Sequence, residues 1–418
     1  MYEWNIAYNF IMRIKKDFVD AFGERNEYSL KEMISALNRD EYNHFRNCVR
    51  ITEDGSLALI KYSLVGKETP DLGKAGSMYR EMRSLVIDMK DEAIVLCPFR
   101  KFFNIGELDE CSMERVADAI RHAKTVEIAN KLDGSMQQAR YYKGKVVYTG
   151  SSAMNPEESW QLADGLTVFR ADTNYEKMVK DNPTCTFIFE YTSPKNLIVV
   201  KYNEERLSLI GVRDVETGRQ CSYSEMVGYA EKYGLPHTDV ERRTFDEVVA
   251  SAGDYGAEEK EGWVLFVDGA MYKMKCNQYR EVHRILSFVS APNVLMRSIA
   301  DDYFDDVLSK VPEAYKENLR RASAVVYGYI NKTQTEIDEW YDKMPKQDRK
   351  SFAMAVNKDV PKELRRFMFA KLNGQGYNVL KKHENTPSPH YMKLSEVIGT
   401  TDYATFFMSL GLKNVDAE

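Results

Sequence analysis

The property of this sequence that most restricts its fold is a change of period part-way along. From about residue 82 to 279, apolar residues come in short β-branched and aromatic runs bounded by turns, at 84–88, 145–149, 186–190, 197–202, 207–212 and 262–267. Such runs read as strands. Helical stretches interrupt them around 112–123, 222–233 and 244–252, and two more helical candidates precede them at 7–22 and 29–48. The mixture predicts an α+β domain built on antiparallel sheets. After about residue 280 a 3.6-residue period takes over. There Thr333-Gln-Thr-Glu336 has capping-box spacing, followed by Ile337, Trp340, Tyr341 and Met344 on one face. Pro361 marks another helix start, ahead of an apolar stripe at Leu364, Phe367, Met368 and Leu372. Two domains are expected, 1–282 and an all-α 283–418.

Composition excludes several classes. With 44% hydrophobic and 29% charged residues, the chain resembles an ordinary soluble protein. No run approaches the roughly 20 apolar residues of a membrane span, and the first residues lack the basic-then-apolar order of a signal peptide. Cys48, Cys97, Cys111, Cys185, Cys221 and Cys276 are scattered without CxxC pairs. Reduced thiols in a cytoplasmic protein, with no structural zinc, are the expectation. A net charge of −6 argues against a polyanionic partner, but binding needs only a local patch. Residues 343–382 carry eleven Lys/Arg against three Asp/Glu, just after the acidic group Asp301, Asp302, Asp305 and Asp306.

Three clusters could carry chemistry. In Glu127-Ile-Ala-Asn-Lys131-Leu-Asp133-Gly134-Ser135 a strand delivers a lysine to a tight Asp-Gly turn, and a second strand, 136–142, leads back out. Burial and nearby cations can deprotonate such an amine so that it attacks phosphorus, although a surface lysine beside an ordinary turn fits the same letters. In Lys273-Met-Lys275, strand alternation puts both lysines on one face. At about 7 Å apart they ask for an anion between them; a solvated strand face is the plain alternative. Glu190 ends one apolar strand and Glu261 opens another. Sugar hydroxyls, magnesium or salt bridges would suit both. His283 is a candidate substrate contact or a structural histidine, and the remaining histidines form no metal spacing.

The succession KxDGS, FxFE, EGWV, KMK resembles the ordered motifs of the lysine-nucleotidyltransferase superfamily of ligases and capping enzymes. Finer features are similar to the phage RNA ligase 1 family. They include Arg83 in Glu-Met-Arg-Ser-Leu-Val-Ile-Asp, Lys101 in Arg-Lys-Phe-Phe-Asn104, the stretch from Phe189 to Tyr202, 212–218, and Lys275-Cys-Asn-Gln-Tyr279. The resemblance implies an ATP-grasp-like ligase domain whose Lys131 takes AMP from ATP, with Asp133 and Gly134 shaping the turn. It implies that Glu190 holds the ribose and that Glu261, with Asp305 further on, supports Mg2+. Lys273 and Lys275 would neutralise the α-phosphate while Arg83 and Lys101 orient the outer phosphates; Tyr279 matches a family tyrosine. One place departs: where the family tends to carry Lys-x-Lys-Gly-Ser, this chain has Tyr148-Thr149-Gly150-Ser151-Ser152.

The resulting expectation is an ATP-dependent RNA ligase joining 5′-phosphate and 3′-hydroxyl ends through a lysyl-AMP and an RNA adenylate. Its setting would be RNA repair, with cleaved tRNA as one candidate, in the cytoplasm of the host cell if the chain is phage-encoded. No obligatory protein partner is indicated. The helical domain would serve RNA specificity through Arg365, Arg366 and Phe369. DNA ligases and capping enzymes share the core motifs but append a β-barrel where helices follow here. A non-catalytic RNA-binding protein on a decayed ligase core is the rival of another class.

Overall fold

The computed structural model describes residues 28–37, 49–61, 80–289, 304–309 and 313–374, with Lys15, Lys16, Val19, Leu295, Met296, Ser298, Ile299, Val311, Phe406 and Ser409 besides. The expected helix at 7–22 lies almost wholly outside these residues; of 29–48, Leu30–Leu37 is helical. Contacts divide the chain into two compact units, Met1–Arg280 and Glu281–Glu418. No described helix is long and apolar enough to cross a membrane.

Among the described residues the first unit holds three four-stranded antiparallel sheets. The first runs β1 (Val49–Ile51), β2 (Leu57–Lys61), β3 (Arg83–Asp88), β4 (Ala93–Leu96). The second has the order β10 (Val240–Glu241), β5 (Val126–Lys131), β11 (Gly262–Val267), β12 (Ala270–Lys275). The third is β7 (Lys145–Gly150), β6 (Ser135–Tyr142), β8 (Cys185–Thr192), β9 (Arg206–Asp214). Every residue of β8 is buried: Cys185, Phe187, Phe189 and Tyr191 enter one core, while Thr186 and Glu190 on the other face accept the N–H groups of Cys97 and Gly134. Phe169, Tyr175, Met178, Met226 and Ala230, from helices Trp160–Ala171, Thr173–Asp181 and Tyr223–Tyr233, share its core. The β6–β7 turn uses Lys143 and Gly144 with φ of 48° and 81°, the left-handed pair that matches strand twist in a two-residue hairpin.

Polar contacts tie the layers together. Helix Tyr223–Tyr233 opens with a reciprocal Ser222–Glu225 capping box. Its first N–H groups, of Tyr223 and Ser224, also donate to Glu127 on β5 at 2.8 and 3.0 Å, a carboxylate where the helix dipole favours one. Leu57, Leu59, Val86, Val95 and Leu96 of the first sheet pack with Val147 and Met154. Arg213 on β9 grips Glu81 with two guanidinium nitrogens, at 2.7 and 3.1 Å, and donates to the Pro98 carbonyl at 2.8 Å.

Three local expectations are corrected. Residues 197–202 form no strand, for reasons the site supplies below. Thr333 caps nothing, because Glu313–Lys343 is a single 31-residue helix and Thr333 is buried along it. Pro361 opens a turn, and the helix starts only at Arg365. The periodic face itself holds: Ile337, Met344, Leu364, Phe367 and Met368 all lie in the core of the second unit.

The Arg213–Glu81 pair yields a stability test, since its side chains are only 4% and 0% exposed. Arg213→Met takes the guanidinium that grips Glu81 at 2.7 and 3.1 Å, leaving it the more distant Arg100 at 3.7 Å, and should lower unfolding free energy by about 3–5 kcal/mol, the usual cost of halving a buried pair. Adding Glu81→Leu should recover much of it. Urea denaturation of the two variants checks this, and equal loss in both would contradict it.

Candidate active site

The Asp-Gly segment is not a hairpin. β5 pairs with β10 and β11, whereas β6 pairs with β7 and β8, so Leu132–Gly134 carries the chain from one sheet to another. Buried groups fix that crossing. The Asp133 carboxylate accepts the N–H groups of Val199 and Val200 at 2.8 and 2.9 Å and the Tyr279 hydroxyl at 2.7 Å. The Asp133 N–H donates to the Tyr202 hydroxyl at 2.9 Å. Residues 197–202 therefore spend backbone donors on a carboxylate that a sheet would otherwise use. Gly134 donates its N–H to Glu190 at 3.1 Å, and a Cβ there would collide with the Tyr191 carbonyl.

Strand register assembles the reactive groups. Gly262 on β11 lies opposite Lys131 on one side and opposite Lys275 on the other. Glu261, immediately before it, reaches both: Lys131 Nζ is 2.7 Å from one carboxylate oxygen and Lys275 Nζ 2.9 Å from the other. Gly262 has φ of 151°, and a Cβ would run into the Met274 carbonyl, so no other residue keeps the three strands this close. Met274 is buried, whereas Lys273 and Lys275 are partly exposed, as alternation requires.

The electrostatics correct one expectation. Burial disfavours the Lys131 ammonium, but the adjacent Glu261 and the nearby Glu190 outweigh it and hold its pKa above the ordinary lysine value. Lys131 is therefore an ammonium at rest. Burial raises Glu190 to about 8, so that carboxyl is largely protonated at neutral pH. Lys273 moves the other way, to about 7, through burial and then Lys101, Arg83, Lys131 and Lys275.

Lys273 thus sits in a cluster of cations with Arg83, Lys101, Lys131 and Lys275. Arg83 and Lys273 both stand over the Phe102 ring, at 5.4 and 5.6 Å, and Lys101 lies 5.5 Å from the Phe103 ring. The peptide at Asn104 is bridged to Lys273. Arg83 Nη1 is buried with no hydrogen-bond partner among the described residues, a costly condition that a phosphate oxygen would relieve. Among the described residues no three metal-ligating side chains gather. A divalent ion here would thus draw most ligands from phosphate and water, the usual habit of magnesium.

The structure brings together Arg83, Lys131, Asp133, Glu190, Glu261, Lys273, Lys275 and Tyr279 through the contacts above, with Lys101 beside them. Tyr202 enters the sequence analysis only as the end of a family-like stretch, with no role, and the Val199–Val200 backbone not at all as a contact, because apolar residues that serve through their N–H groups leave no sequence signal. Where family lysines were expected, Tyr148 packs 5.0 Å from Phe169 and Thr149 is buried against Gln138. Both positions are structural here. The other candidates lie in the second unit. Asp305 is exposed in helix Phe304–Ser309. Arg365 donates to the Val360 carbonyl at 2.9 Å, and Arg366 stands 4.9 Å from the Phe367 ring. Phe369 is half-buried and edge-on to Phe352 at 5.7 Å.

Residues 81–279 match the RNA ligase family, a span containing every residue of the cluster. The chain is 25% identical over 349 residues to a protein assigned as an RNA ligase in Thermovibrio ammonificans, covering 79% of this chain and 86% of that one. It is 26% identical over 256 residues to RNA ligase 1 of bacteriophage TS2126, covering 60% of this chain and 62% of that protein. An archaeal ATP-dependent RNA ligase of known structure aligns at 16% identity with a TM-score of 0.46, over 70% of this chain and 79% of that one. Residues 81–279 thus carry the pattern of the RNA ligase family, and the chain as a whole is similar to RNA ligases.

Lys273 gives the site a pH signature. Its ammonium is half lost near pH 7, and a bound polyanion restores it. Inorganic tripolyphosphate should therefore bind with proton uptake above pH 7, its affinity falling by up to about tenfold per pH unit. Lys273→Arg, always charged, should abolish the uptake. Calorimetry in buffers of different ionisation enthalpy measures it; uptake unchanged in the arginine variant would contradict the assignment.

Proposed function

We propose that the first unit is a nucleotidyltransferase-fold, ATP-grasp-like adenylylation domain and that the protein is an ATP-dependent RNA ligase sealing 5′-phosphate to 3′-hydroxyl ends. The observation that carries this is Lys131 held 2.7 Å from Glu261 amid Arg83, Lys101, Lys273 and Lys275, with Arg83 Nη1 buried and unpartnered among the described residues, a set of cations suited to a polyphosphate next to an amine.

ATP is a co-substrate in this reading. Lys131 must first lose its proton, and Glu261 is the acceptor within reach. Lys131 Nζ then bonds to the α-phosphorus as the bond to the pyrophosphate oxygen breaks. Lys273 and Lys275 neutralise the α-phosphate as charge builds, which is electrostatic catalysis. Arg83 and Lys101 hold the outer phosphates in line for departure. Glu190, largely protonated, can both donate to and accept from ribose hydroxyls. Asp133 and Tyr279 keep the crossing rigid so that Lys131 is aimed. AMP next passes to an RNA 5′-phosphate, and a 3′-hydroxyl displaces it. Magnesium would add Lewis-acid neutralisation of the phosphates, with Glu261 as the carboxylate of the cluster that would hold it.

RNA repair is the role we infer, with cleaved tRNA as the candidate substrate, and the second unit is the candidate RNA-specificity module through its basic segment 343–382. Phe369 is withdrawn from that surface by its packing, which leaves the cations, Arg365 and Arg366 among them, as the contacts. The decayed-core alternative is disfavoured by the intact set Lys131, Glu190, Glu261, Lys273 and Lys275.

Two experiments follow. With labelled ATP and magnesium, Lys131→Ala should lose covalent AMP entirely, Lys273→Ala and Lys275→Ala should be crippled, and Met274→Leu should be nearly silent, since a volume-similar swap usually costs under about 1.5 kcal/mol. An adduct persisting on Lys131→Ala would sink the nucleophile. Separately, charge reversal at the exposed Lys362 and Arg366 should spare adenylylation while weakening RNA binding and flattening its salt dependence. Undiminished RNA affinity at moderate salt would remove the second unit from the interface.

A further inference from the structure

We propose that Ser84 is a positioning residue for Arg83: a one-residue bulge at Ser84, locked by side chains and backbone of the third sheet, turns the guanidinium into the phosphate-binding cluster. Pairing between β2 and β3 passes from Ile60↔Leu85 to Lys61↔Arg83, so Ser84 is an extra residue on its strand. Strict alternation would place Arg83 on the face of Leu85 and Ile87, both completely buried hydrophobics. The added residue breaks that phase and frees Arg83 from it.

Ser84 adopts this place at φ of 67°, the left-handed region that L residues with a Cβ rarely occupy. Such a conformation persists where its surroundings over-determine it, and here they do. The Ser84 hydroxyl donates to the Ser151 carbonyl, and the Ser84 carbonyl accepts from Gln138 Nε2 at 2.7 Å. The same Gln138 nitrogen also reaches the Thr149 hydroxyl at 3.1 Å. Ser84 and Gln138 are 1% and 0% exposed, so water cannot replace these bonds. The segment Tyr148–Ser152, which departs from the family pattern by lacking lysines, thereby acquires a task in this chain: it holds the bulge. The result is Arg83 over Phe102, beside Lys273, with Nη1 buried and unpartnered among the described residues.

The inference rests on the reading that Arg83 meets the phosphates that leave as pyrophosphate. Ser84 should then matter for making the enzyme adenylate and not for sealing an RNA that already carries a 5′-adenylate. Wild type, Ser84→Ala, Ser84→Gly, Arg83→Ala and the Arg83→Ala/Ser84→Ala double variant are compared in both reactions. Ser84→Ala should raise KM for ATP by about tenfold, the scale of one oriented hydrogen bond from a charged group, with sealing of the adenylylated RNA unchanged. It should add nothing in the Arg83→Ala background. Ser84→Gly accepts the backbone angle without its hydroxyl, so it should show a smaller loss of the same kind and decides the matter if Ser84→Ala does not fold. Equal losses in both reactions, or a further loss in the double variant, would show that Ser84 serves only the fold and overturn the proposal. A wild-type protein that forms no adenylate overturns the ligase reading, and this inference with it, before any variant is compared.

Discussion

The Lys131–Glu261–Lys275 bridge is the interaction on which the rest of this site depends. One buried carboxylate faces two ammonium groups, each on a strand flanking the glycine that follows it. Burying a single charge is costly, and pairing offsets the cost only when geometry is good. The geometry comes from Gly262, whose missing Cβ lets β11 lie against the Met274 carbonyl. The bridge also makes the resting lysine an ammonium, unreactive until its proton leaves. On the proposed reading the site is guarded: Lys131 is in place but cannot attack until Glu261 has taken its proton.

Around the bridge, buried polar groups do the work that hairpins do elsewhere. Asp133 accepts from two backbone amides and a tyrosine, and Glu190 accepts from Gly134. Both carboxyls are pushed upward, first by burial. Lys131 therefore leaves the second sheet and enters a crossing held to the third sheet by Glu190 and to residues 199–202 by hydrogen bonds. Polar networks of this kind rigidify only when fully satisfied. The cation cluster differs: among the described residues one guanidinium nitrogen has no partner there, which suits an anion-binding site and is what a folding core avoids.

Much of this was legible in the sequence, for identifiable reasons. Alternation about Met274 placed Lys273 and Lys275 on one face, and the apolar runs located β3, β7, β8, β9 and β11 to within a residue or two. What failed depended on partners remote in sequence. The run 197–202 has strand composition, yet its N–H groups were claimed by Asp133, some 66 residues earlier. Lys-x-Asp-Gly reads as a turn, but which sheet receives the next strand is settled by Glu190. The capping-box letters at Thr333 were overridden by a buried stripe that continues through them. The Ser84 bulge has no sequence signature, since only the register with β2 reveals the extra residue.

The central claim is that Lys131 is the atom-level point of attachment, and locating the adduct tests it most directly. Wild-type protein incubated with ATP and magnesium, digested at neutral or alkaline pH and analysed by tandem mass spectrometry should carry AMP on the peptide spanning Lys131, at that side chain, with acid removing it. AMP on any other residue, or no covalent AMP under conditions where the protein stays folded, would contradict the account.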